Sequence, residues 1–146
     1  MGMFDSMEIS ASGLTAERMR MDVTAENLAN AQTTRGADGQ PYRRKEILLQ
    51  ERTAPGTFGA ALQGALAGGK PAGVEVSQIA QDQTPLKQVY DPGHPDADAR
   101  GYVRMPNVDP VAEMVDLITA QRAYEANVTA MQAAKQMFAK TLDLLR

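Results

Sequence analysis

The stretch Asn107–Arg146, NVDPVAEMVDLITAQRAYEANVTAMQAAKQMFAKTLDLLR, decides the fold. Asp109 can accept a hydrogen bond from the first turn of a helix. Pro110 suits the first helical position, where a missing N–H costs nothing. No Gly or Pro follows Pro110 and good helix formers predominate, so one helix can run through the whole stretch. At 1.5 Å per residue it is about 55 Å long. Large apolar residues recur along it at alternating spacings of three and four: Met114, Leu117, Tyr124, Val128, Met131, Phe138, Leu142 and Leu145. Gln121 and Lys135 are the polar breaks in this seam. A heptad stripe of that length asks for a partner helix.

A second stripe, Ala123, Ala126, Ala130, Ala133, Met137 and Leu144, runs along another face, broken by Lys140. Small residues let a neighbouring backbone come close, and a helix that is apolar on two faces takes more than one neighbour.

The partner is written at the other end of the sequence. Asp5 with Glu8 resembles a helix-starting cap pair. Phe4, Met7, Ala11, Leu14, Met21, Ala25 and Leu28 follow the same alternation, broken by Arg18, and Ile9, Ala16, Met19 and Val23 make a second stripe. The pattern fades at Asn30, before Thr33, Thr34, Gly36 and Gly39. Gly13 inside the helix costs about 1 kcal/mol relative to Ala without breaking it. Antiparallel pairing with Asn30 near Ala112 sets Leu28 near Met114, Met21 near Gln121, Leu14 near Val128 and Phe4 near Phe138. The last helix then overhangs by about two turns.

Between the helices the pattern changes in kind. All eight prolines lie from Pro41 to Pro110, which bars regular helix there. The spacing predicts short strands at 42–50, 74–79, 86–90 and 101–105. In 53–73, twelve of twenty-one residues are Gly or Ala, the composition of a mobile loop, within which Gly59–Ala67 can form a frayed helical turn. Asp91–Gly101, DPGHPDADARG, reads as a second loop. The expected fold is therefore α+β. Long N- and C-terminal helices (1–32 and 107–146) pair as an antiparallel coiled coil, with a small β-rich insert (33–106) and flexible loops between them.

Composition narrows the function. A net charge of −3 offers no basic footprint for nucleic acid. Zero cysteines remove disulfides, thiolate metal sites and a cysteine nucleophile. No stretch approaches the ~18 apolar residues of a membrane span, so direct membrane insertion is not expected. The start, MGMFDSMEIS, lacks the basic and apolar regions of a secretory signal. His94 is the single histidine and reads as a solvated loop residue. Asp91, Asp96 and Asp98 have no Glu at the twelfth position that a calcium loop requires. Arg43, Arg44 and Lys45 read as a solvated face or a salt-bridge surface between subunits. Asn27 and Asn30 suit either a helix cap or a bridge between subunits. No catalytic, metal or cofactor site is expected.

Asn27-Leu28-Ala29-Asn30-Ala31 resembles the signature of the bacterial flagellar axial proteins, the rod and hook family. Ala120-Gln121-Arg122-Ala123-Tyr124-Glu125-Ala126-Asn127 resembles the C-terminal motif of the same family. Gly39–Arg43, Tyr90–Gly93 and Gly101–Val108 resemble proximal-rod members, so the likeness spans nearly the whole chain; 53–73 carries no part of it. The resemblance implies a structural subunit of the basal-body rod in the periplasmic space, exported by the flagellar type III apparatus without a cleaved signal. It implies as partners other copies of the chain, other rod proteins, and the MS-ring and rod-base adaptor proteins. Its motif residues here are Asn27, Asn30, Gln121, Arg122, Tyr124 and Asn127. Freedom from cysteine suits an oxidising destination. The competing reading is a soluble helical hairpin acting as adaptor or chaperone for one partner helix. Heptads alone permit either.

Overall fold

Asp109 and Pro110 start the last helix as the sequence predicts. The Asp109 carboxylate accepts from the Val111 N–H at 3.0 Å, and its carbonyl accepts from Glu113 N–H at 3.0 Å. The computed structural model describes residues 3–36, 38–52 and 73–144, without the side chains of Met3, Phe4 and Leu144. Its elements are helix α1 (Met3–Ala29), strands β1 (Lys45–Glu51), β2 (Val74–Gln81), β3 (Lys87–Tyr90) and β4 (Tyr102–Met105), and helix α2 (Pro110–Leu144). The Gly/Ala-rich loop expected at 53–73 lies, but for Gly73, outside the described residues, as does Leu145.

The strands form two two-stranded sheets, β1 with β2 and β3 with β4. Arg52 N–H donates to the Gly73 carbonyl and Asp82 N–H to the Arg44 carbonyl, so β1 and β2 run antiparallel. In the second sheet Lys87 pairs with Met105 and Tyr90 with Tyr102. The two tyrosine rings meet edge-on, with centroids 5.3 Å apart. Gly101 turns the chain back at φ +80°, and a Cβ there would lie 2.9 Å from the Tyr90 ring.

By contact the chain divides into two units: Met1–Arg18 with Leu49–Ser77 and Gln121–Arg146, and Met19–Leu48 with Gln78–Ala120. In the first unit α1 lies against α2 where Gly13 meets Asn127. A Cβ on Gly13 would sit 3.0 Å from the Asn127 carboxamide nitrogen. Ala16 and Ala134 are the buried apolar residues of this unit among those described. Ser12 anchors the start of β2, donating to the Ile9 carbonyl at 2.7 Å and accepting from Val74 N–H at 3.1 Å. Arg52 pairs with Glu8 at 3.1 Å beside it.

The second unit holds more core. Val23, Val103, Val108 and Ala120 are buried, together with Pro106 and the polar trio Thr24, Asn27 and Glu113. The Asp91–Gly101 loop is tied by its own carboxylates. Asp98 accepts from Arg100 N–H and Tyr102 N–H, and those bonds hold its carboxyl below the usual range.

The seam of large residues is not the deepest line of the helix pair. On α2 that line is Glu113, Ala120 and Ala134, at multiples of seven, with half-buried Asn127 completing the series. On α1 it is Ala16, Val23 and Asn27. The facing pairs Gly13/Asn127 and Asn27/Glu113 show why: fourteen residues forward on α1 is fourteen back on α2. This antiparallel register is two residues from the one expected, because small and polar side chains, not the largest ones, set the closest approach.

Candidate assembly site

Asn27, in the last turns of α1, is 1% exposed and uses its whole hydrogen-bonding capacity. Its carboxamide oxygen accepts from Lys45 N–H and from the Tyr42 hydroxyl, each at 2.9 Å. Its nitrogen donates to the Lys45 carbonyl at 2.9 Å and to Glu113 Oε2 at 3.1 Å. One side chain thereby joins α1, β1 and α2. A buried polar group is stable only when satisfied in this way.

Glu113 is equally buried, and Arg44 faces it from β1's entry, the guanidinium Nε donating to Glu113 Oε1 while its other nitrogens reach Glu46 and Asp116. Arg44 N–H also donates to Asn107 Oδ1 at 2.9 Å. Arg43 donates to the carbonyls of Asp82 and Thr84, and Lys45 pairs with Glu26 at 2.5 Å. The basic run is therefore an internal fastening of this chain, where the sequence read a solvated or intersubunit face. Burial, with Glu26 and Glu113 nearby, pushes the Tyr42 hydroxyl up to about 12.

Asn30 caps α1: its side-chain nitrogen donates to the Glu26 carbonyl at 2.9 Å, and its oxygen accepts from Thr33. The two asparagines of the signature thus do different things, Asn30 ending the helix and Asn27 fastening it. Glu113, Arg44, Tyr42 and Lys45 were missed as a group in the sequence. The available signal was the seven-residue series Glu113, Ala120, Asn127, Ala134, whose members are too small or too polar to count as a seam.

Two matches to known families follow this geometry. The pattern described as "Flagella basal body rod protein" covers residues 7–37, and "Flagellar basal body rod FlgEFG protein C-terminal" covers 99–144. The chain is 50% identical to the flagellar basal-body rod protein FlgC of Bacillus subtilis, over 97% of each chain. It is 46% identical to that of Borreliella burgdorferi, over 100% of this chain and 99% of the relative. It is 46% identical to that of Escherichia coli O157:H7, over 99% and 98%. The chain belongs to the flagellar basal-body rod protein family. This is a family of structural proteins and not an enzyme family, and this rod subunit is a structural part of the flagellum, at the basal body that serves motility. Both matched segments carry the fastening, Asn27 in one and Glu113 in the other.

On the rod subunit the residues expected to face neighbours divide by exposure. Met7, Ile9, Leu14, Met21, Leu28, Leu117, Ala123, Tyr124, Val128 and Met131 are half-buried, and Val23 is buried. Met19, Ala126, Ala130, Ala133, Met137, Phe138 and Leu142 are exposed. Of the motif, Gln121 and Arg122 are exposed and Gln121 bonds to Glu125 at 3.2 Å. No described helix is long and apolar enough to cross a membrane.

Proposed function

We propose that this rod subunit builds the proximal rod by packing its terminal helices, 1–32 and 107–146, against neighbouring subunits, with 33–106 as an insert fastened to them. The observation that carries this is the exposed apolar surface towards the far end of α2. In the Gly13/Asn127 register, Met3 comes level with Met137, so the helix continues past the described start of α1. Leu142 stands 51% exposed there. An exposed apolar side chain there is the kind of surface a second subunit covers. The neighbours are other copies, other rod proteins and the ring and adaptor proteins at the rod base. The subunit arrives through the flagellar type III apparatus and works in the periplasm without catalysis.

The test is the double replacement Leu142→Asp with Leu145→Asp. A carboxylate buried without a partner costs several kcal/mol or takes up a proton. The variant is expected to be secreted yet absent from basal bodies, leaving cells without rod, hook or motility. Normal rods built from it would show that this end packs against nothing. Small soluble complexes of the wild-type chain with one partner, and no rod, would favour a helical adaptor instead.

A further inference from the structure

The outer faces of both helices remain unclaimed, and they differ. On α2, the side opposite the buried Glu113 and Ala120 carries Val111, Met114, Val115 and Ile118, exposed by 70%, 49%, 57% and 50%. Their spacing of three and four makes one continuous stripe, and Arg122 and Glu125 extend it by two exposed positions. On α1, the side opposite Ala16, Val23 and Asn27 carries Arg18, Asp22, Ala25 and Ala29, all exposed. One outer face is bulky and apolar and then charged; the other is small and then charged.

We propose that the outer face of α1 of a second copy of this chain lies antiparallel along the α2 stripe. The fit is in shape and in charge. A crossing that sets Asp22 beside Arg122 also sets Ala29 beside Val115 and Arg18 level with Ala126, one residue from Glu125, by the arithmetic of antiparallel helices. Ala25 and Ala29 then leave room for Val115 and Ile118, and each charge meets its opposite. Arg18, Asp22 and Arg122 have no ion-pair partner within the chain among the described residues. The stripe set against itself would bring bulk against bulk. Because one copy offers α1 and the next offers α2, the contact is heterologous and passes from copy to copy. It rests on the reading of the chain as an assembling rod subunit and names the surface used.

Freedom from native cysteine makes the test direct. Two differently tagged copies, one Asp22→Cys and one Arg122→Cys, are produced in the same cells and basal bodies are isolated and oxidised. A disulfide-linked species carrying both tags is expected, with none from either variant alone. In parallel, Arg122→Asp is expected to abolish motility, and Arg122→Asp combined with Asp22→Arg to restore it. If both tagged copies are in the basal bodies but do not cross-link, or cross-link only to a different rod protein, the proposed contact is wrong while the rod reading stands. If the wild-type tagged chain is absent from basal bodies, the rod reading itself fails and the contact with it.

Discussion

Gly13 shows how one position can be set by a neighbour and not by its own helix. A glycine there gives up about 1 kcal/mol of helix propensity relative to alanine. The Asn127 carboxamide occupies the space a side chain would need, with three of its atoms within 3.3 Å of a Cβ. Gly13→Ala is therefore expected to gain little, propensity being offset by crowding that typically costs about 1–3 kcal/mol. In an Asn127→Ala background the same replacement should recover its gain of about 1 kcal/mol. Thermal unfolding of the four variants measures the difference, and equal effects of Gly13→Ala in both backgrounds would remove Asn127 as the reason for the glycine. Tyr42 makes a second residue-scale prediction. Its hydroxyl is held neutral to about 12 in the fold, above the ordinary value of 10.0. The unfolded chain releases this proton first, so the Tyr42 contribution is intact below pH about 10 and is lost as pH rises from there through about 12. Tyr42→Phe should flatten that part of the stability–pH curve, at the cost of a hydrogen bond to Asn27. A curve of the same slope in both proteins would contradict the assignment.

At the scale of elements, the helices and strands were legible because their signals are local. Asp109-Pro110 starts α2, the proline-free run sustains it, and the four expected strands appear within three residues of their predicted limits. The line of closest approach was not legible. Periodicity weighs large apolar residues, while Gly13, Ala16 and Ala120 gain their places by being small and Asn27 and Glu113 by being satisfied. Partners such as Arg44 for Glu113 are 69 residues apart in sequence, and no spacing rule reaches that far. The same contrast separates two neighbours in the basic run. Lys45 and Glu26 form a partly exposed pair, worth at most about 1 kcal/mol. Arg44 faces a carboxylate that is 1% exposed, and removing it leaves that charge buried with only Asn27 to help it. Arg44→Ala is expected to cost on the order of 3 kcal/mol and Lys45→Ala under about 1 kcal/mol. Denaturant unfolding ranks the two, and equal losses would mean that Glu113 finds another partner or water.

Across the whole molecule, burial is uneven enough to predict how the free monomer behaves. Among the described residues, the buried apolar side chains of Met1–Arg18 and Gln121–Arg146 are two alanines, Ala16 and Ala134. The other unit buries Val23, Val103 and Val108 besides Ala120, and adds the Asn27–Glu113–Arg44 fastening. Fully burying a valine contributes about 1.5–3 kcal/mol, and an alanine methyl less than about 1. Ordering each backbone position costs roughly 1–2 kcal/mol. The two ends of the chain therefore open more easily than the fastened part, and each helix should fray from its far end towards Asn27 and Glu113. Local opening of this kind sets amide exchange rates. In the dilute, monomeric protein, exchange is expected to be slow around Val23–Asn27, Val103 and Glu113–Ala120. It should be fast over Ser6–Arg18 and Gln121–Asp143. In isolated rods the fast segments should become protected, as the proposed packing of neighbouring subunits on the helix ends requires. Uniform protection along both helices in the monomer would mean that the pair holds itself together without neighbours. Assembly would then add contacts to helices already ordered, and the helix ends would have no need of a second subunit to become stable.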